Sequence, residues 1–450
     1  MAGPSSEMIS LTASIDVDMT LLECDARATK AHARVLVGAG LLDEADLGPI
    51  ETTLDNLVDQ WRADELSPGP TDEDVHSFVE RELTERLGEL GARIHAGRSR
   101  NDLVAQDLRL WCRDAADDLL EELSGLLTTI AGRAEEHADT LMPGFTHLQP
   151  AQPVSVGFHL LAHGFALARD IDRLSAARDA ADVGALGAGA LAGTTLPLDA
   201  WIGARELGCK RLFDNAMDAV SDRDFACDLV YATATLGVHL SRMAEEIVMW
   251  TSPLLEFARL PNEWSTGSSM MPQKRNPDIA ELVRGRAAGP IGELTSLLTL
   301  LKGLPLAYAR DLQEDKEFVF RAVERARGCL AGMTAMVSGL TFDESRLEAA
   351  AALGGSWATD VAELLVARGL PFREAHQVAG RLVAAVEDSG EELNADVLES
   401  HHGLLQQADL ERLAPGRSVA ARASHGGPAP TRVEEQIERL RERVSRIRQG

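Results

Sequence analysis

The segment VAQDLRLWCRDAADDLLEELSGLLTTI, residues 104–130, decides the fold class of this chain. Its apolar side chains recur every three or four residues, and Ile130 follows Val104 by 26 positions in seven steps, or about 3.7 residues per step. That interval is close to the 3.6 residues of an α-helical turn. The segment therefore predicts one long helix with an apolar stripe.

Similar patterns predict further long helices at about 153–180, 221–250 and 278–301, and strand-like alternation is nearly absent. We therefore expect an all-α protein with a central bundle of long helices. Because such helices carry apolar residues on more than one face, we also expect the bundle to form the core of a symmetric homo-oligomer. Pro290 interrupts the last pattern and predicts a kink there.

The expected domains are an N-terminal helical domain at 1–98, a central long-helix bundle at 99–350 and a C-terminal helical domain at 351–450. A formal net charge of -27 disfavours nucleic acid and anionic membranes as partners. The five cysteines stand singly, which fits a reducing compartment. Neither a signal segment nor a membrane-spanning stretch is evident, so we expect a cytoplasmic protein.

The stretch TGSSMMPQKRNPD, residues 266–278, concentrates cations within an acidic chain. Its glycine and serines can turn several backbone N–H groups toward one point, and Lys274 and Asn276 can add charge and hydrogen bonds. Pro277 allows a helix to begin at Asp278. We interpret the stretch as a grip for a carboxylate or phosphate, and a surface loop with a basic tip is the alternative.

A second cationic cluster, HAGRSRND at residues 95–102, precedes the long helix. Arg98 and Arg100 flank Ser99 and Asn101, and two arginines at a helix start oppose the helix dipole. A bound anion would relieve that cost.

Two further clusters are candidates for chemistry. MPGFTHLQPAQP, residues 142–153, places Thr146, His147 and Gln149 on a proline-bounded turn between two helices. AYARDLQEDKE, residues 307–317, offers Tyr308, Gln313 and Lys316, although taken alone it is typical of a solvated charged segment.

His159 and His163 lie four residues apart on a predicted helix and could face one metal ion. The residues between them supply no acid, and the sequence offers no evident third ligand. We therefore predict no metal site, and we interpret His401 and His402 as solvent-exposed.

The chain resembles the argininosuccinate lyase family of the aspartase/fumarase superfamily from about residue 16 to about residue 430. GSSMMPQKRNP (267–277) resembles the superfamily signature loop. The motifs typical of this branch are EDVH (73–76), GRSRND (97–102), PGFTHLQPAQP (143–153), DAVSDRDF (218–225) and LQEDKE (312–317). The resemblance implies a three-domain, aspartase/fumarase-like fold and a homotetramer whose active sites each combine residues of three subunits.

The reaction implied by the resemblance is a β-elimination that splits argininosuccinate into arginine and fumarate. Ser268 would be the base, with Lys274 lowering the pKa of its hydroxyl and, together with Asn276, stabilising the aci-carboxylate intermediate. His147 would be the general acid toward the leaving guanidine, and Glu281 would orient it.

The resemblance also assigns the binding residues and implies no metal and no organic cofactor. Substrate carboxylates would contact Arg98, Ser99, Asn101 and Thr146, and the arginine half would contact Tyr308, Gln313 and Lys316. Thr29 stands where the family has a substrate-contacting serine.

The sequence departs from the family pattern at several positions. The amino-terminal WGGRF-like segment is missing, Ala96 replaces a threonine, Ala309 and Arg310 replace an Asn-Lys pair, and Ala185 stands where a proline is common. Two alternatives stay open, and only the first of them rests on these departures. One is a related enzyme that releases fumarate from a different N-substituted aspartate, and the other is a non-catalytic structural protein on the same scaffold.

Overall fold

The structure is a computed structural model that describes residues 8, 11–267, 269–390 and 392–447. Most of these residues are helical and the strands are few and short, so the all-α prediction is confirmed. The α-helices are α1 (Ile15–Asp18), α2 (Leu22–Gly38), α3 (Glu44–Arg62), α4 (Val75–Leu87), α5 (Glu89–Arg93), α6 (Arg100–Glu136), α7 (Val156–Ala181), α8 (Ala200–Glu206), α9 (Ala216–Ser221), α10 (Asp224–Thr251), α11 (Asp278–Arg286), α12 (Ala288–Leu301), α13 (Asp315–Gly339), α14 (Glu344–Ala351), α15 (Ala358–Ala367), α16 (Phe372–Ser389), α17 (Ala395–His401), α18 (Asp409–Leu413), α19 (Pro415–Ala421) and α20 (Pro430–Ile447).

The predicted long helix is α6, which runs for 37 residues. Its stripe is buried as expected, with Leu108, Leu119, Leu123 and Ile130 all without solvent exposure. The other long helices also lie close to their predicted positions. Helix α7 begins after a cap in which the Ser155 hydroxyl accepts a hydrogen bond from a backbone N–H of the first turn.

The last predicted helix is divided in two, because α11 ends at Arg286 and α12 begins at Ala288. Pro290 lies in the first turn of α12, where the missing N–H would have had no partner within the helix. The predicted kink is therefore a break between two helices, which lies just before the proline.

Four two-stranded sheets complete the described structure. Strands β1 (Leu141–Thr146) and β2 (Gln149–Ser155) form an antiparallel hairpin, as do β6 (Thr266–Gly267) and β7 (Arg275–Asn276). The remaining pairs are β3 (Val183–Gly184) with β4 (Arg211–Leu212), which is parallel, and β5 (Ala258–Arg259) with β8 (Thr341–Phe342), which is antiparallel. Short 3₁₀ helices span Met19–Leu21, Asn262–Trp264 and Arg310–Glu314.

The chain forms two compact units. Unit 1 comprises Met1–Leu120, Asp172–Gly237 and Ala287–Arg327, and unit 2 comprises Glu121–Ile171, Val238–Arg286 and Gly328–Gly450. Helices α2, α3 and α4 supply most of a large apolar core in unit 1, and α15 and α16 supply much of one in unit 2. The division into three domains stays a prediction. Among the described residues, no helix is both long and apolar enough to cross a membrane.

Candidate active site

The turn that carries His147 lies between helices α6 and α7, as predicted, and it also joins the two strands of a β-hairpin that the sequence analysis did not predict. Strands β1 and β2 pair up to Thr146 and Gln149, which leaves His147 and Leu148 as a two-residue connection. Both have positive φ, at 54° and 57°, as a tight hairpin with right-handed strand twist requires. A histidine in this conformation is uncommon, and the hairpin presents it, with Thr146, to solvent.

The signature loop also forms a hairpin, β6–β7, in which Lys274 is exposed just before the second strand and Asn276 is half-buried on that strand. Ser268 lies outside the described residues. The Thr266 hydroxyl donates a hydrogen bond to Asp278, the first residue of α11, and so connects the hairpin to that helix. Glu281 follows in the first turn of α11, with its carboxylate 3.7 Å from Arg284 and half exposed.

Unit 1 contains the predicted carboxylate-binding arginine. The Arg98 guanidinium donates to the Thr29 hydroxyl at 2.9 Å, and that hydroxyl donates to Asp25 at 3.1 Å. Thr29 has no solvent exposure. The Thr29 hydroxyl is therefore buried behind Arg98, where it can orient the guanidinium, and it does not lie on an open surface.

Asp102 joins the start of α6 to a glycine-rich loop, residues 185–195, that follows β3. Its carboxylate accepts N–H groups from Ser99 at 2.9 Å, Gly187 at 3.1 Å and Gly189 at 2.9 Å. The Asn101 side chain donates to a carbonyl of the same loop at 3.0 Å. The loop therefore helps to fix Ser99 and Asn101, two of the residues that were predicted to hold substrate.

A cavity of about 210 Å³ in unit 1 brings together four of the predicted binding residues. They are Asn101, Tyr308, Gln313 and Lys316, and the other lining residues are Ser14, Asp18, Glu73, Asp74, His76, Arg100, Val104 and Arg310. Burial raises the pKa of the Tyr308 hydroxyl, so this phenol stays protonated and able to donate at neutral pH.

Lys316 is not part of a solvated segment, which corrects the reading of its motif taken alone. Only 1% of the residue is exposed, and its ammonium lies 3.4 Å from Asp18 and 3.8 Å from Asp315. Asp315 in turn accepts from Arg223, which has no exposed side-chain surface. A buried array of alternating charges thus fixes the Lys316 ammonium at the cavity wall.

Sequence reasoning missed three acids of this cavity, which are Asp18, Glu73 and Asp74. Burial raises the pKa of the Asp18 carboxyl although Lys316 lowers it, whereas the pKa of Asp74 is lowered by His76, Ser77 and Arg100 against the effect of burial. Glu73 and Asp74 belong to the EDVH motif, so the signal was in the sequence without a role attached.

A second cavity in unit 1 has a different charge. Its lining includes His95, Arg98, Ser99 and Arg100, together with small residues of the glycine-rich loop, and Glu80 is the one acid among its described lining residues. Arg100 lines both cavities. One cavity therefore combines acids with cations, and its neighbour is mainly cationic.

Comparisons with known proteins identify the family to which the chain belongs. The family profile described as Lyase matches residues 3–292, and the one described as Argininosuccinate lyase C-terminal matches residues 355–420. Argininosuccinate lyases from Acidothermus cellulolyticus and Frankia casuarinae are each 49% identical to this chain, over 98% of its length and over 91% and 95% of theirs. The solved structure of EDDS lyase in complex with formate is 27% identical with a TM-score of 0.86, covering 100% of this chain and 92% of that one.

The fold and the profile that matches most of the chain define a lyase of the aspartase/fumarase superfamily. Within that class, the chain belongs to the argininosuccinate lyase family. The chain has the argininosuccinate lyase function of that family, and it is therefore a lyase that acts on a carbon–nitrogen bond. The resemblance seen in the sequence motifs is therefore confirmed.

Proposed function

We propose that this chain splits argininosuccinate into L-arginine and fumarate by β-elimination, and that the two cavities of unit 1 divide the substrate between them. The observation that carries the proposal is the pair of cavities with different charge that meet at Arg100. The arginine half of the substrate has both cationic groups and a carboxylate, whereas the succinyl half presents two carboxylates. Each half therefore has a cavity of complementary charge.

The arginine half fits the cavity that Tyr308, Gln313 and Lys316 line. Asp18, Glu73 and Asp74 supply carboxylates for its cationic groups, and the buried Lys316 ammonium supplies a partner for its carboxylate. We therefore assign these three acids to binding, alongside the residues that the family resemblance implies.

The succinyl half fits the cationic cavity, where Arg98 and Ser99 supply donors. Thr29 acts through Arg98, and Asn101, on the wall of the first cavity, lies at the junction of the two halves. Two guanidinium groups near the carboxylate carbons favour removal of the neighbouring proton, because they stabilise the extra negative charge of the aci-carboxylate.

Unit 2 supplies the groups that move protons. Ser268 takes the proton from the β-carbon of the succinyl group, and Lys274 and Asn276 stabilise the charge that develops there. Loss of the guanidino nitrogen then breaks the C–N bond, and His147 donates the proton that this nitrogen gains. Glu281 orients His147, and Thr146 of the same hairpin contacts a substrate carboxylate.

Copies of the chain bring these groups together in a homotetramer. The exposure of Thr146, His147, Lys274 and Glu281 supports this, since catalytic side chains work best in a water-excluded site. Apolar residues that are about half exposed also recur at seven-residue intervals on the long helices: Tyr231 and Val238 on α10, and Ile291 and Leu298 on α12. Apolar faces of this kind favour burial against other copies. A cytoplasmic location agrees with five free cysteines, of which four are buried.

A different N-substituted aspartate is the second candidate substrate. The observation behind it is Arg310, which departs from the family pattern and forms an ion pair with Glu73 on the cavity wall. Arg310 adds a guanidinium to the wall where the leaving amine would bind, and so changes the charge of the cavity around that amine.

The test is fumarate release, followed by ultraviolet absorbance, from the purified chain with argininosuccinate, and Ser268→Ala is the control. Efficient release that the substitution abolishes supports the proposal. A folded tetramer that releases fumarate only from another substituted aspartate refutes the substrate assignment. Full activity in Ser268→Ala refutes the assignment of the base.

A further inference from the structure

The histidine pair of α7 has a third partner that the sequence analysis did not find. The Nε2 atoms of His159 and His163 lie 2.5 Å and 2.6 Å from one and the same oxygen, Oε2 of Glu246 on α10. The statement that no third ligand is evident is therefore corrected, because the acid comes from a distant part of the chain. All three residues belong to unit 2.

We propose that His159, His163 and Glu246 form a binding site for one divalent transition-metal ion of the Zn²⁺ class. Their candidate ligand atoms all lie within 4.8 Å of one another, so one ion can reach all three. A donor set of two imidazole nitrogens and one carboxylate oxygen favours Zn²⁺ over Mg²⁺ and Ca²⁺.

Helix geometry explains why the three side chains converge. Histidines four residues apart project from the same helix face, and this spacing recurs in zinc sites that take two ligands from one helix. Glu246 completes the set from a second helix. The ion would therefore crosslink α7 and α10 and stabilise their packing.

The site is also accessible. The side chains of His159, His163 and Glu246 are 21%, 13% and 34% exposed, which leaves a path for the ion and space for a water as fourth ligand. Trp250 packs edge-on against His159, with 5.2 Å between the ring centres, and this contact limits the orientation of that imidazole.

Shared protons are the competing explanation for this geometry. If both imidazoles carry a proton on Nε2, each donates to the same Glu246 oxygen and no ion is needed. If each carries its proton on Nδ1, three lone pairs face one another, and a cation between them removes the repulsion. Metal titration distinguishes the two states.

The experiment uses the full-length chain without an affinity tag, treated with a chelator and dialysed, and titrated with Zn²⁺ by calorimetry and with Co²⁺ by visible absorption. We expect saturation at one ion per chain, and intense d–d bands typical of a four-coordinate Co²⁺ site. Glu246→Gln and His163→Gln should each weaken binding at least about tenfold, since even residues that only support metal ligands have effects of this size.

His402→Gln is the matched control, because it removes one member of the other histidine pair and should leave binding unchanged. Absence of saturable binding, or equal affinity in wild type and both site variants, overturns the proposal. If the variants fail to fold, the wild-type Co²⁺ spectrum decides, and weak bands typical of six-coordinate Co²⁺ overturn it. None of these readouts depends on fumarate release.

Discussion

Asp102→Asn is expected to weaken the structure that supports the proposed substrate-binding residues at the start of α6. The Asp102 carboxylate accepts three backbone N–H groups and has no solvent exposure. An amide retains one oxygen, so at least one N–H loses its acceptor, and the new NH₂ group faces another donor. A buried hydrogen bond to a charged group contributes about 1.5–3 kcal/mol, and an unsatisfied buried donor costs about 1–3 kcal/mol.

We therefore expect Asp102→Asn to lower the free energy of unfolding by about 2–5 kcal/mol. Urea unfolding of both proteins at the same concentration measures this change. The same substitution at Asp114 is the control, since that residue is on the same helix and forms a half-exposed ion pair with Arg27. A surface pair of this kind contributes less than about 1 kcal/mol.

Asp102→Asn should also raise the KM for argininosuccinate, because the backbone of Ser99 and the glycine-rich loop lose a shared partner. A midpoint within the error of wild type, with unchanged KM, would refute the reasoning. That result would mean that the carboxylate already binds a proton in the folded chain or that the loop does not depend on it.

Three further predictions concern other parts of the chain. Arg223→Met leaves the buried carboxylate of Asp315 without its main partner, so urea denaturation should show an unfolding free energy that is lower by about 3–5 kcal/mol. The KM for argininosuccinate should also rise, because this pair positions the cavity wall. An unchanged KM would contradict that role. His147→Asn should reduce turnover by about 10²–10⁴-fold while size-exclusion chromatography shows an unchanged assembly, because asparagine tolerates positive φ. Hydrogen bonds from Arg368 lower the pKa of Asp409, so this pair stabilises the fold at neutral pH and the contribution is lost as the pH falls below about 4. Asp409→Asn should flatten the fall of the unfolding free energy in that range, and a slope equal to that of wild type would contradict the assignment.

Much of the fold followed from the period of apolar residues. Leu108, Leu119 and Ile130 lie on one face of any helix, whatever surrounds it, so their spacing predicted a buried stripe. The β1–β2 hairpin was missed because prolines at both ends of the motif suggested a turn between helices, and local propensity carried no signal for the pairing.

The residues of the candidate site were predicted from the sequence through the resemblance of short motifs to the family pattern. Their surroundings were not. Lys316 was read as solvated since its neighbours in sequence are charged, yet its partner Asp18 comes from the other end of unit 1 and the residue is buried. Burial of a charge depends on distant residues, and a short window cannot include them.

The sequence by itself determined the helical class, the family and the chemical types of the candidate catalytic groups. These follow from periodicity and motifs, which are properties of short segments. The tertiary structure alone decided that two cavities of different charge meet at Arg100 and that Glu246 reaches His159 and His163. Such convergence results from packing between segments far apart in the chain, and no local pattern of residues encodes it.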